Sequence, residues 1–69
     1  MDRVKINPPF IRLDSFLKLC GTAATGGHAK VLIQSGRILV DGEICLMRGK
    51  KLRGGETVMA ENQSFEVFV

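Results

Sequence analysis

The spacing of apolar residues predicts two short helices in the first half of the chain. The first helix has an apolar stripe at i, i+3, i+4 and i+7, formed by Leu13, Phe16, Leu17 and Cys20. Aspartate is a frequent helix cap, so we expect Asp14 to cap this helix and Gly21 to end it. The second helix is predicted over residues 25–35, with Thr25 as N-cap and Gly36 after its last turn. Its inner face carries Ala29, Leu32 and Ile33, and its outer face carries His28, Lys30 and Gln34.

The flanking segments have the two-residue period of strands. Residues 38–40 and 43–46 alternate on either side of Asp41-Gly42, a pair that tolerates the positive φ angles of a tight hairpin. Residues 57–60 and 64–69 alternate after the Gly54-Gly55 turn. The fold class predicted is α+β, with two short helices packed on a small, mainly antiparallel sheet of four to five strands.

The segment before the first helix is predicted to be an irregular lead-in with short extended pieces. Pro8 and Pro9 lack backbone donors, which keeps residues 4–13 out of a central strand. The 69 residues are enough for one domain, so a single domain is expected over residues 1–69. Nine apolar residues are assigned to its core: Leu17, Leu32, Ile33, Ile38, Val40, Leu46, Leu52, Val58 and Phe65.

The amino-acid composition limits which cellular compartment and which cofactors are expected. Cys20 and Cys45 lie in apolar stretches, which favours buried cysteines in a reducing cytoplasm over a disulfide or a reactive thiol. With two cysteines and one histidine, a four-ligand zinc site is not expected. No apolar run is long enough for a membrane span or a secretion signal. We therefore expect a cytoplasmic protein without metal, cofactor or membrane association.

Positive charge is concentrated in one stretch of the chain. Ten Lys and Arg face seven Asp and Glu, and residues 47–55 hold four bases and no acid: Arg48, Lys50, Lys51 and Arg53. Bases in a glycine-containing loop can follow a run of phosphates, and this asymmetry indicates an anionic partner. The alternative is a solvated connector that only keeps the sheet soluble.

A second candidate anion site lies at the start of the second helix. Gly26 and Gly27 leave its first backbone N–H groups without a shielding Cβ, and the positive end of the helix dipole suits a phosphate. The glycines could equally serve close helix packing. His28 could contact a phosphate or base, or be an ordinary surface residue. A nucleotide-hydrolysis loop is not indicated, because the Gly-Lys-Ser or Gly-Lys-Thr triplet is absent.

Catalysis has little support in the sequence. No Ser-His-Asp, Cys-His or paired-carboxylate arrangement can be argued from the residues. Four phenylalanines are the only aromatic residues, and most are expected in the core, so base stacking also has little support. We expect a binding protein with no catalytic residues and no small-molecule substrate.

Several runs together resemble one known family. RLDSFLKLCG, TGGHAKVLIQSGRILVDGE and LRGGETV resemble the S-four RNA-binding domain, also called the alpha-L motif, over about residues 10–58. That domain recurs in a small-subunit ribosomal protein, ribosomal-RNA pseudouridine synthases and bacterial tyrosyl-tRNA synthetases. One departure is Thr25-Gly26, where the family usually has Ser-Arg, so an arginine contact is missing. The two glycines followed by Ala29-Lys30 resemble the stand-alone YaaA/YbcJ-like subgroup.

The resemblance implies that the two helices and the adjoining loop form one basic surface for structured RNA. Ribosomal or transfer RNA is the implied target, with the ribosome as a possible partner in a bacterial cytoplasm. The implied RNA-binding residues are Lys18, Lys30, Arg48, Lys50, Lys51, Arg53 and Arg12, with Gly26 and Gly27 admitting a phosphate and His28 beside them. Two alternatives remain: a protein adaptor in the translation or replication machinery, and an enzyme subunit without its catalytic domain.

Overall fold

The computed structural model describes residues 1–69. Two helices and seven strands follow one another in this order: β1 (Asp2–Lys5), β2 (Ile11–Arg12), α1 (Leu13–Leu19), α2 (Gly26–Gln34), β3 (Ile38–Val40), β4 (Glu43–Ile44), β5 (Lys51–Leu52), β6 (Thr57–Ala60) and β7 (Gln63–Phe68). The predicted helices and hairpin are confirmed, although β4 is shorter than expected because it ends at Ile44. The lead-in contains β1 and β2, the short extended pieces that the sequence predicts.

The strands form a five-stranded sheet and a separate two-stranded ribbon. The sheet has the order β1-β7-β6-β3-β4, in which β1 is parallel to β7 and the other neighbours are antiparallel. The ribbon pairs β2 with β5, so that Ile11 faces Leu52 and Arg12 faces Lys51. This arrangement confirms the predicted α+β class, and the ribbon joins the start of α1 to the basic stretch.

Three of the four residues predicted to cap or end the helices do so, and one does not. Thr25 caps α2, because its Oγ1 accepts a hydrogen bond from the His28 N–H at 3.0 Å. Gly21 and Gly36 follow α1 and α2 with φ of +81° and +79°, a conformation that favours glycine. The prediction that Asp14 caps α1 is wrong. Arg12 holds the N-cap position, without a side-chain capping bond, and Asp14 lies inside the first turn.

The core lies between the helices, the inner face of the sheet and the ribbon. It contains Ile6, Leu13, Phe16, Leu17, Ala23, Ala29, Ile33, Ile38, Val40, Leu52, Val58, Ala60, Phe65 and Val67. Phe16 and Phe65 meet edge to face, with ring centroids 6.2 Å apart. Seven of the nine predicted core residues are buried, and Leu32 packs against them half-buried. The prediction for Leu46 is wrong, since it is 56% exposed.

The two thiols are free and half-buried rather than fully buried as the sequence suggested. Cys20 lies beside Thr22, with 3.4 Å between the sulfur and the hydroxyl oxygen. Neither helix is long and apolar enough to cross a membrane.

Candidate nucleic-acid interface

The basic loop, defined as residues 48–53, is attached to the start of α1. The N–H of Leu13 donates to the Lys50 carbonyl at 2.8 Å, and the N–H of Asp14 donates to the Arg48 carbonyl at 3.1 Å. The first N–H groups of a helix have no partner within the helix, so the loop supplies the acceptors that a cap would otherwise provide. The loop is therefore a docked part of the fold and not a free connector.

A buried carboxylate fixes the side chains around this junction. The Asp14 side chain is only 8% exposed, and its Oδ2 accepts hydrogen bonds from Arg48 Nε at 3.0 Å and Arg12 Nη2 at 3.2 Å. Its Oδ1 accepts from the Ser15 N–H at 2.9 Å. Burial raises the pKa of Asp14, but the hydrogen bonds from Arg48 and Ser15 and the two arginine charges outweigh it, so the net pKa is lowered. Asp14 thus stays ionised and holds two guanidinium groups side by side.

The start of α2 lies next to the same arginine. A Cβ added at Gly26 would meet only Arg48 Nη2, at 4.0 Å, and one added at Gly27 would meet only the Thr25 hydroxyl at 3.9 Å. These contacts leave ordinary space, so close helix packing does not require the glycines. The first two N–H groups of α2 have no intrahelical partner, and neither is shielded by a side chain. These backbone donors and the Arg48 guanidinium lie close together and can bind one anion between them.

Helix geometry extends the positive surface along both helices. Lys30 follows Gly26 by four residues, which places both on one side of α2. Lys18 follows Asp14 by four residues on α1, so it lies one turn beyond the carboxylate on that side. Both lysines are exposed. Of the predicted RNA-binding residues, the structure brings together Arg12, the basic loop and the start of α2, and Lys18 and Lys30 flank them.

Glu56 holds the far end of the basic loop. Its two carboxylate oxygens accept from the N–H groups of Arg53 and Gly54, each at 2.8 Å. Burial raises the pKa of Glu56, but the N–H donors and the nearby Lys50 charge outweigh this effect, so the net pKa is lowered. Gly54 and Gly55, with φ of +120° and +95°, make the turn that brings Glu56 back onto the loop.

The distribution of ion pairs leaves the interface positive. Away from it, Arg3 pairs with Glu66 and Arg37 pairs with Glu61. At the interface, Asp14 is the only carboxylate paired with a base, and it is shared by two arginines. The remaining interface cations have no ion-pair partner: Lys18, Lys30, Lys50, Lys51 and Arg53. A surplus of unpaired cations favours phosphate binding.

His28 is not brought together with these residues. It follows Gly26 by two positions, which places it about 200° around α2, away from Arg48. Its Nδ1 accepts from the Ala24 N–H at 3.3 Å, and it lines an open groove of about 460 Å³ with Arg37 and Glu61. No three His, Cys, Asp or Glu residues are grouped so that they could hold a metal ion.

Three residues that shape the interface are not identified by the sequence patterns. The sequence predicts that Asp14 caps α1, and it indicates no role for Glu56. The features of the sequence that could have indicated their roles are the spacing Arg12-x-Asp14 and the run Gly54-Gly55-Glu56. The sequence assigns no role to Phe10, which is half-buried and lies beneath the side chains of Lys51 and Arg53. The roles of Asp14 and Phe10 depend on partners more than 30 residues away, whereas the partners of Glu56 lie within three residues of it.

Comparison with known proteins assigns the chain to a family. The family model of the S4 domain matches residues 4–68. YbcJ of Escherichia coli (strain K12) and YbcJ of Shigella flexneri are each 34% identical over 59 residues, which is 86% of this chain and 84% of theirs. The solution structure of YbcJ from E. coli, described as revealing an alfaL motif involved in RNA-binding, superposes with a TM-score of 0.76. It is 30% identical and covers all of this chain and 89% of that one. The chain belongs to the S4 domain family.

Proposed function

We propose that this protein binds structured RNA, ribosomal or transfer RNA, and acts as a binding module without catalysis of its own. The RNA-contacting surface comprises Arg12, the basic loop, Gly26 and Gly27, with Lys18 and Lys30 at its margin. His28 is omitted, because it lines a groove on another side of α2.

The observation that carries the proposal is the shared anchoring of the positive groups. Asp14 orders Arg12 and Arg48, and Arg48 lies within 4.0 Å of the Cβ position of Gly26 at the start of α2. Fixed cations lose less side-chain freedom when they bind phosphate than free ones do. A rigid positive surface suits an A-form helix, which proteins recognise through its backbone and shape. The alfaL motif of YbcJ, described as involved in RNA-binding, supports RNA as the anion.

The proposal is tested by measuring RNA affinity against salt concentration. A fluorescently labelled RNA hairpin is titrated with wild type, with Lys50→Gln/Lys51→Gln, and with the matched control Arg3→Gln/Arg37→Gln, which removes the same charge elsewhere. Removal of one cation that binds a phosphate should flatten the slope of log affinity against log salt by about 1. We expect the slope of the loop variant to be flatter than that of wild type by about two units, and the slope of the control to change little. Equally flattened slopes in both variants would contradict a localised site.

The identity of the RNA is tested in cells. RNA crosslinked to wild type and to Lys50→Glu/Lys51→Glu is sequenced, and we expect one ribosomal or transfer RNA region to be recovered with wild type and not with the variant. The same cells, fractionated into cytoplasm and membrane, test the expected cytoplasmic location.

A protein partner is the second candidate function, favoured by an exposed apolar patch. Ile44, Leu46 and Met47 are 62%, 56% and 66% exposed and lie close together at the end of β4. Exposed apolar residues in a group are typical of interaction surfaces. Leu46→Lys distinguishes the two functions. If RNA is the partner, its RNA affinity should equal or exceed that of wild type, whereas copurifying proteins should disappear if a protein is the partner.

A further inference from the structure

The ribbon formed by β2 and β5 has one buried and one exposed face. Ile11 and Leu52 face each other across the ribbon, and Leu52 is fully buried while Ile11 packs against the core. Successive residues of a strand point to opposite faces. The neighbouring pair, Arg12 and Lys51, is therefore on the outer face, and both residues are exposed.

The same register extends the outer face by one more pair. Continuing the antiparallel pairing beyond Ile11 and Leu52 sets Phe10 opposite Arg53. Lys51 Nζ lies 4.9 Å from the centroid of the Phe10 ring, and the Arg53 guanidinium carbon lies 5.7 Å from it. Phe10 is half-buried, and what covers its ring on this side are the two flexible cationic side chains. The outer face thus carries an aromatic ring among three cations.

We propose that Phe10 is a stacking platform for one unpaired nucleobase of the bound RNA. The inference rests on the proposed function and narrows its substrate class to RNA with an unpaired nucleotide beside a duplex. An aromatic ring offers a surface on which any base can stack, and surrounding cations follow the backbone on either side of it. Lys51 and Arg53 have long, flexible side chains, so each can leave the ring for a flanking phosphate as the base takes its place. The duplex then lies on the Arg48 and Gly26 side of the interface.

Phe68 supplies a matched control on another part of the molecule. It is also half-buried, and the Arg3 guanidinium carbon lies 4.3 Å from its ring centroid. Arg3 is held by Glu66 through a 2.9 Å hydrogen bond, so this aromatic–cation pair carries its own counterion. A general effect of removing an exposed aromatic residue would appear at both positions, whereas stacking would appear only at Phe10.

The direct test uses tryptophan fluorescence. The chain has no Trp or Tyr, so Phe10→Trp and Phe68→Trp each introduce a single reporter. Each variant is titrated with a blunt RNA hairpin and with the same hairpin carrying a three-nucleotide single-stranded extension. We expect quenching of the residue-10 tryptophan only by the extended hairpin and no quenching at position 68. Equal responses of the residue-10 tryptophan to both RNAs, or no response, would overturn the stacking proposal.

An affinity measurement separates the stacking proposal from the proposed function. We expect wild type to bind the extended hairpin more tightly than the blunt one, and Phe10→Leu to lose about fivefold or more in affinity for the extended RNA only. Phe68→Leu should match wild type on both RNAs. Binding of both hairpins with equal affinity by wild type and Phe10→Leu would overturn the stacking proposal alone. Failure of wild type to bind either hairpin, or extended and blunt forms of tRNA and rRNA stems, would overturn the proposed function.

Discussion

Replacing Asp14 by asparagine removes the charge that holds Arg12 and Arg48 together, with almost no change of shape. The carboxylate accepts two charge-assisted hydrogen bonds from the arginines, at 3.2 and 3.0 Å, and one from the Ser15 N–H. An amide can still accept from Ser15, but its NH₂ group cannot accept from a guanidinium. Both arginines bond to Oδ2, so an amide whose oxygen stays on the Ser15 N–H loses both arginine bonds, and an amide turned the other way loses the Ser15 bond instead.

The expected cost follows from the strength and exposure of those bonds. A hydrogen bond to a charged group contributes about 1.5–3 kcal/mol. Arg12 and Arg48 side chains are 51% and 39% exposed, so water can solvate them once they are released. A neutral amide is also easier to bury than a carboxylate, which offsets part of the loss. We expect Asp14→Asn to lower the free energy of unfolding by about 1–3 kcal/mol.

Asp41→Asn is the matched control for stability. Asp41 also accepts a backbone hydrogen bond, from the Thr57 N–H at 2.9 Å, but it has no basic partner. Its φ of +52° is one that asparagine adopts readily, so this variant should stay within about 0.5 kcal/mol of wild type. Urea unfolding followed by circular dichroism measures both, since the chain has no Trp.

RNA binding by Asp14→Asn distinguishes preorganisation from bulk charge. The substitution raises the net charge from +3 by one unit, which alone would tighten binding. Freed arginines must be ordered again on binding, at about 0.5–1.5 kcal/mol each, so we expect affinity to fall by about tenfold at a temperature where the variant is folded. Amide hydrogen exchange at residues 13 and 14 should accelerate as the loop loosens. Tighter binding, or stability equal to that of Asp41→Asn, would refute the reasoning.

Three further predictions concern pH, the loop and the glycines. Because the folded-state pKa values of Asp14 and Glu56 are lowered, the stabilisation that these groups give is complete above about pH 5 and is lost as pH falls through the folded-state values. Urea unfolding at pH 2–6 should show this loss, and the slope of stability against pH should be smaller in Asp14→Asn. In Glu56→Gln the amide oxygen can accept from only one of the Arg53 and Gly54 N–H groups. We expect the free energy of unfolding to fall by about 1 kcal/mol and hydrogen exchange of the other amide to become faster. The control Glu43→Gln, at an exposed position, should change neither. Gly26→Ala should stabilise the protein by up to about 1 kcal/mol in the same unfolding assay, because the added Cβ has room. The same Cβ should weaken the binding of hairpin RNA. Unchanged RNA affinity would exclude the start of α2 from the interface.

Local patterns predict the elements but not the contacts between them. Thr25, Gly21 and Gly36 act within a few residues of their own positions, and the sequence predicts their roles correctly. The prediction for Leu46 fails because β4 ends at Ile44 and the following residues leave the sheet to reach α1, so strand alternation no longer applies there.

The interface depends on contacts that are distant in sequence. Arg48 and Asp14 are 34 residues apart, and the loop carbonyls of Lys50 and Arg48 accept from the N–H groups of Leu13 and Asp14. Residue type makes Asp14 a plausible cap, and only the docked loop shows that its carboxylate is turned to the arginines. The basic composition of the loop is visible in the sequence, whereas its hydrogen bonds to the start of α1 and the approach of Arg48 to the start of α2 are not.

The number of carboxylates at the interface is as important as the number of bases. With none, the guanidinium groups of Arg12 and Arg48 would repel each other, an effect of about 4 kcal/mol for charges 4 Å apart near a protein surface. With two, each arginine would be neutralised and would offer little to a phosphate. The single carboxylate of Asp14 orders both arginines and leaves one positive charge of the three-group cluster uncompensated. An added acid, such as Gly49→Asp next to Arg12, should therefore weaken RNA binding by more than the same change at the remote, exposed Asn62.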